Sequence, residues 1–157
     1  MNAYRSKPFA FPWPPVIYGL AIAAALLFQL VFPFSFPETS LWLTRLVGGG
    51  LVLLAVFLDI WAMRTLLDCH TTILPHRCST HLVTTGPYRF TRNPIYLGHT
   101  LTTAGIGILL HNPWFLLTTI VSVAVTTLVA VRREELHLLS RFGIEFERYC
   151  RTTTRWI

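Results

Sequence analysis

Charge is what this sequence has least of. Of its 157 residues only 13% are charged and only 7 are acidic, whereas soluble domains carry about 25% charged residues. With 53% hydrophobic residues and a mean hydropathy of +0.53, an ordinary water-soluble globule is excluded. Cysteine is nearly as scarce. Cys69, Cys78 and Cys150 are odd in number and form no CxxC pair, so neither a disulfide framework nor a zinc ribbon is indicated, and a reducing compartment is the simpler setting. Internal repeats and low-complexity tracts are lacking as well, and the length allows a single domain.

What the sequence has instead is long apolar runs. No charge occurs between Lys7 and Glu38, and residues 15–32 are long enough to cross a bilayer as a helix started by proline. Aromatics and prolines precede this run and no small-residue cleavage site follows it, so it reads as a span and not as a signal peptide. A second run over 46–63 is interrupted only by Asp59 near its end, and Gly48, Gly49 and Gly50 would let another helix approach closely. The next uncharged stretch, Asn93 to Val131, has 39 residues, about twice the ~20 needed for one crossing. It must double back, and His111-Asn112-Pro113 is the obvious turn. Spans three and four are then about 94–110 and 114–131.

Four spans place the N-terminal segment, the 64–92 loop and the C-terminal tail on one side, with 12 of the 13 Lys and Arg residues; Arg45 alone lies opposite. By the positive-inside rule that side is cytoplasmic, which puts both termini in the cytoplasm of a protein integral to the membrane, a bacterial-type inner membrane being favoured. The net charge of +6 is therefore a topological signal, and no nucleic-acid partner is expected. The expected fold is all-α: four membrane spans, a functional cytoplasmic loop and, from Arg132 to a C-cap at Gly143, a helix whose Leu136, Leu139 and Phe142 form an interfacial face.

Two clusters carry chemistry. The first is Gly86-Pro87-Tyr88-Arg89-Phe90-Thr91-Arg92-Asn93-Pro94-Ile95-Tyr96-Leu97-Gly98: a Gly-Pro turn, Asn93 as N-cap and Pro94 at the first helical position. Free N–H groups at that helix start, with Arg89 and Arg92, suit a carboxylate or phosphate. Tyr88, Phe90 and Tyr96 suit an adenine ring or a sulfonium cation. An interfacial belt anchoring the chain to headgroups is the plainer reading of the same residues. The second cluster is Arg132-Arg133-Glu134-Glu135, just outside span four, able to bind ribose hydroxyls, an amino group or a cationic centre, or to be solvated juxtamembrane charge. The hairpin at Pro113 brings the two clusters to one surface.

The runs LVTTGPYRFTRNPIYLG and EELHLLSRFGIEFERYCRTTTRWI, with the Asn-Pro turn between them, resemble the C-terminal core of the isoprenylcysteine carboxyl methyltransferase family. These are integral-membrane, S-adenosylmethionine-dependent enzymes related in this core to phospholipid N-methyltransferases. The resemblance covers residues 71–157, and residues 1–63 match only as generic spans. It implies a cofactor-binding region of 64–98 plus 132–157. By that resemblance Leu82, Val83, Tyr88, Asn93, Pro94, Ile95 and Tyr96 fall on cofactor-binding positions, Glu134 and Glu135 on the family's acidic pair and Arg92 on its Arg-x-Pro arginine; Gly86, Gly98, Glu134 and Glu135 join the expected cofactor site, and Arg92, Arg133 and Glu134 are the candidate catalytic residues. The lipid-modified-protein enzymes have histidine at Asn93, a departure shared with many bacterial-type relatives, and a basic residue one turn before the acidic pair, where Leu128 and its neighbours are apolar.

Methyl transfer from a sulfonium needs the acceptor in line behind the methyl carbon, so positioning and desolvation supply most of the rate. A carboxylate acceptor would be oriented by Arg92 or Arg133; an amine or thiol would need a proton sink, with Glu134, Glu135 or His81 available. The expected partners are membrane lipid and a lipid-like or small-molecule acceptor; the oligomeric state is not legible. No metal is expected from Cys69, His70, His76, Cys78 and His81, whose spacing fits no zinc pattern. Asp59, an ionisable residue inside the second span, reads as functional, as snorkelling or as paired with Arg64. His99 reads as an interhelical hydrogen bond or part of an acceptor path with Tyr96 and Thr103, and Thr119, Ser122 and Thr126 as a packing stripe. Two rival classes share the architecture: an NADPH-dependent membrane reductase resembling sterol reductases, and a non-enzymatic membrane partner protein.

Overall fold

A computed structural model describes residues 13–35, 40–69 and 81–157. Six α-helices follow in order: α1 (Trp13–Val31), α2 (Leu41–Asp68), α3 (Pro94–Leu109), α4 (Trp114–Thr126), α5 (Arg132–Phe142) and α6 (Ile144–Thr152). A 3-10 turn at Gly86–Arg89 precedes α3, and a π-helical turn at Thr127–Val131 joins α4 to α5. Among the described residues there is no strand, only a parallel bridge between Thr91 and Thr154.

The spans differ from the sequence reading in length more than in place. Neither Asp59 nor Arg64 stops α2, which is 28 residues long and passes both ends of the expected 46–63, because a helix interior tolerates charges that lie near a membrane edge. The expected fourth span is followed, as the sequence predicts, by further helix beyond 131. Its helix passes through the π turn and continues to Phe142. Among the described residues three helices are long and apolar enough to cross a membrane: Pro14–Val31, Leu41–Asp68 and Trp114–Phe142. The expected third span is shorter; the 16 residues of α3 reach about 24 Å at 1.5 Å per residue, under the ~30 Å of a hydrocarbon core.

The helices pair as α2 on α3 and α1 on α4, with α3 and α4 forming the hairpin. Of the three consecutive glycines only Gly48 serves the contact: a Cβ there would stand 2.9 Å from the Gly105 carbonyl oxygen and 2.8 Å from Leu109 Cγ, whereas Gly49 and Gly50 face open space. The turn forms where expected. Asn112 is buried; its Oδ1 accepts from the Trp114 N–H at 3.0 Å, and its Nδ2 donates to the Ala25 carbonyl at 3.2 Å, tying the hairpin tip to α1. Thr119, Ser122 and Thr126 are all buried in α4, as a packing stripe would be. Outward, large apolar side chains such as Leu30 (80% exposed) and Leu53 (72% exposed) have no protein to cover them, as expected of surfaces solvated by lipid tails.

Beyond the apolar stretch the chain builds a second layer from α5, α6 and the loop before α3. The expected helix ends at its Gly143 C-cap, whose φ of 52° suits a residue without a Cβ and whose N–H closes on the Leu139 carbonyl at 2.9 Å, and a further helix, α6, follows it.

Candidate functional site

The loop into α3 is held from below and from above. Below, Gly86 has φ +59°, and a Cβ there would collide with Thr65 of α2, so the Gly-Pro turn sits directly on that helix. Val83 and Pro87 are buried beside it, and Leu82 is half-buried. Above, the last residues of the chain run alongside the loop. Arg92 N–H donates to the Thr154 carbonyl at 3.0 Å. Thr91 Oγ1 and Asn93 Nδ2 donate to the Arg155 carbonyl at 3.2 and 2.8 Å. Thr153 and Thr154 hydroxyls donate to the carbonyls of Arg89 and Phe90, and Tyr149 Oη donates to that of Tyr88 at 2.7 Å.

Asn93 therefore does not cap α3 with its side chain, contrary to the sequence expectation. No side-chain cap bond is made at that terminus; the side-chain amide nitrogen donates instead to the Arg155 carbonyl. Pro94 does occupy the first helical position and is fully buried.

The two chemical clusters meet. Tyr96 Oη donates to Glu134 Oε2 at 2.9 Å, linking the first turns of α3 and α5 across 38 residues. Tyr88 lies within electrostatic reach of Glu134. Burial first, and the Glu134 charge next, push its hydroxyl well above the ordinary tyrosine range, so it stays protonated. Tyr149 is likewise pushed up, chiefly by burial.

Glu135 turns the other way and is the hub of an ion-pair cluster. Arg155 embraces it with both ends of its guanidinium, Nε to Oε1 at 3.0 Å and Nη2 to Oε2 at 2.7 Å, and these bonds raise the Arg155 pKa further. Arg92 Nη1 meets the same Oε1 at 3.0 Å and also lies 2.7 Å from Cys150 Sγ. Arg92 is thus committed within the protein through Glu135 and is not the free carboxylate-orienting group expected of it. Arg133 is exposed on the first turn of α5, and Ile95 is half-buried.

One turn deeper along α3, His99 Nδ1 stands 3.6 Å from Asp59 Oδ2. Asp59 pairs with His99 rather than with Arg64, and its carboxylate packs against Gly98 of α3, where any Cβ would overlap it. Asp59 Oδ1 is buried without a partner. Tyr18 of α1 closes the group, edge-on to the His99 ring at 5.7 Å and bonded to Thr100 Oγ1 at 2.6 Å. Of the set read from sequence, Tyr88, Tyr96, Glu134 and Gly98 thus border one region, while Arg92, Asn93 and Glu135 build the clasp beside it.

Sequence reasoning missed Arg155, Tyr149 and Cys150. The one available signal was the Thr-rich run ending in Arg155, whose hydroxyls need acceptors. Among the described residues no cluster of three or more His, Cys, Asp or Glu side chains could hold a metal; His70, His76 and Cys78 of the Cys/His-rich stretch lie outside them.

Aromatic rings beside a carboxylate fit the chemistry of a sulfonium donor. A nickel-cobalt-cadmium resistance protein, NccN, from Alcaligenes xylosoxydans xylosoxydans is 41% identical over 78 residues, 49% of this chain and 36% of the relative. The chain thus spans about a third of that relative's length. No solved structure matches. The sequence profile of phospholipid methyltransferases matches residues 43–145, which take in α2, the loop, the hairpin and α5. The chain belongs to the phospholipid methyltransferase family.

Proposed function

We propose that the chain transfers methyl groups from S-adenosylmethionine to a lipid-like or small acceptor, with the donor held between residues 82–98 and Glu134. The observation that carries this reading is the Tyr96–Glu134 hydrogen bond, which joins the two clusters that the sequence keeps 38 residues apart. Bound there, S-adenosylmethionine would supply an activated methyl group on a cationic sulfur. Tyr88, Tyr96 and Glu134 offer that cation two aromatic faces and a carboxylate, and the first turn of α3 offers N–H groups to the donor's own carboxylate.

The acceptor reaches the site from the bilayer. With Arg92 bound to Glu135, an amine or thiol suits the region better than the carboxylate of the isoprenylcysteine enzymes, and Glu134 and the His99–Asp59 pair are at hand to take the proton it sheds. In this reading α3 is a fourth, short crossing completed by its flanking turns and by local thinning of the bilayer. The clasp then lies on the cytoplasmic side, in a bacterial-type inner membrane.

Calorimetry with S-adenosylhomocysteine tests the reading. The wild-type chain is expected to bind it, and Tyr96→Ala or Glu134→Gln to weaken binding about tenfold, the scale of one hydrogen bond to a charged group. Absence of binding to the wild-type chain, or unchanged affinity in both variants, removes the proposed site. Glu134→Gln is cleaner than changing both glutamates, since Glu135 serves the clasp.

A further inference from the structure

The outer face of the clasp carries a feature that methyl transfer leaves unused. Between α5 and α6 lies a cleft of about 490 Å³. One wall is apolar, made by Leu136, Leu139 and Phe146, and two arginines, Arg132 and Arg151, stand at it. Its remaining basic groups, Arg92 and Arg155, are engaged by Glu135. Arg132 and Arg151 pair with no carboxylate among the described residues. Glu147 also lines the cleft, so four arginines face two glutamates and the lining keeps two net positive charges. Arg92 Nε is buried there with no acceptor.

The position of this cleft matters as much as its charge. Arg132 directly follows the apolar run that ends at Val131, so the arginines stand where a membrane-crossing helix emerges, at headgroup level. Leu136 is 61% exposed and Ile144 on the next helix 75%, apolar side chains that water would not favour at this depth. Two cations beside an apolar wall match an anionic amphiphile: phosphate at the guanidiniums, which bind it in a planar fork, and the start of an acyl chain along the leucines. A soluble anion would leave the apolar wall wet, and a zwitterionic lipid would bring its own cation next to Arg132 and Arg151.

We propose that the α5–α6 cleft binds an anionic phospholipid of the surrounding leaflet, as a resident ligand separate from the methyl acceptor. It holds the clasp against the membrane surface and does not depend on the identity of the methyl donor.

Native mass spectrometry of the full chain in neutral detergent, titrated with phosphatidylglycerol or with phosphatidylcholine of the same chains, tests this. The wild-type chain is expected to prefer phosphatidylglycerol at least tenfold. R132Q/R151Q is expected to reduce that preference below threefold while leaving S-adenosylhomocysteine affinity unchanged. R141Q/R148Q removes the same charge from the same two helices outside the cleft and is expected to retain the preference. No preference in the wild-type chain, or an equal loss in both double variants, overturns the proposal in favour of diffuse surface charge. Inorganic phosphate is expected not to displace the lipid; displacement would assign the cleft to a free anion and overturn the lipid reading. Should circular dichroism show R132Q/R151Q unfolded, R132Q and R151Q singly carry the test, each expected to cut the preference about threefold, with no change in either overturning it.

Discussion

The two layers of this molecule are held together by different physics. In the bundle of α1 to α4, side-chain hydrogen bonds between helices are few, the approach of α2 to α3 depends on missing side chains at Gly48 and Gly98, and the outer surface is apolar. In the clasp of α5, α6 and the loop before α3, five side-chain hydrogen bonds reach backbone carbonyls more than 60 residues away. The bundle can be generic because lipid solvates whatever faces outward, and close packing decides the rest. The clasp sits where water competes for every polar group, so its order depends on particular partners.

Breaking the hub of the clasp should show the largest effect. Glu135→Ala strands two arginines, one of them largely buried, and is expected to destabilise the clasp by about 2–3 kcal/mol. Amide exchange over residues 86–93 and 149–155 should rise while α2 stays protected. A comparable fall in α2 protection would show that the two layers unfold as one. Gly48→Val attacks the other layer; overpacking against the Gly105 carbonyl is expected to cost about 1–3 kcal/mol, read as a lower melting temperature in detergent.

Tyr149→Phe removes one bond to the Tyr88 carbonyl, worth about 1 kcal/mol, and should also change how stability depends on pH. The folded state holds this hydroxyl protonated above its ordinary range, while the unfolded chain ionises near pH 10. The contribution is present in full below pH 10 and is lost as the pH climbs beyond it, so the variant should show a shallower alkaline decline than the wild type. Leu53→Ala, 72% exposed on α2, is expected to move the melting temperature least, by the equivalent of under about 0.5 kcal/mol.

The contrast also decides what was legible in the sequence. Apolar runs and prolines announce helices through local rules, and the Asn112-Pro113 turn brought Tyr96 and Glu134 together by topology alone. The clasp obeys no such periodicity. The pairing of Thr91 with Thr154 crosses 63 residues and depends on two irregular segments lying parallel, which neither announces. Asn93 shows the same in one residue: its Nδ2 donates to a carbonyl 62 residues away, and its side chain makes no cap on α3. Asp59 was readable as an intramembrane acid and not as the partner of His99, because that pairing depends on Gly98 having no side chain opposite it.

The π turn at Thr127–Val131 sets the phase of everything downstream. A π turn carries an extra residue relative to α-helical winding, so each side chain beyond it is rotated by roughly 100° from where an unbroken α-helix would aim it. Removing one residue from this turn, Ala130 for instance, would leave the helix intact and swing Glu134 away from Tyr96 and Glu135 away from Arg155. The rod that emerges from the membrane therefore behaves like a keyed shaft, whose length tolerates change only in whole turns.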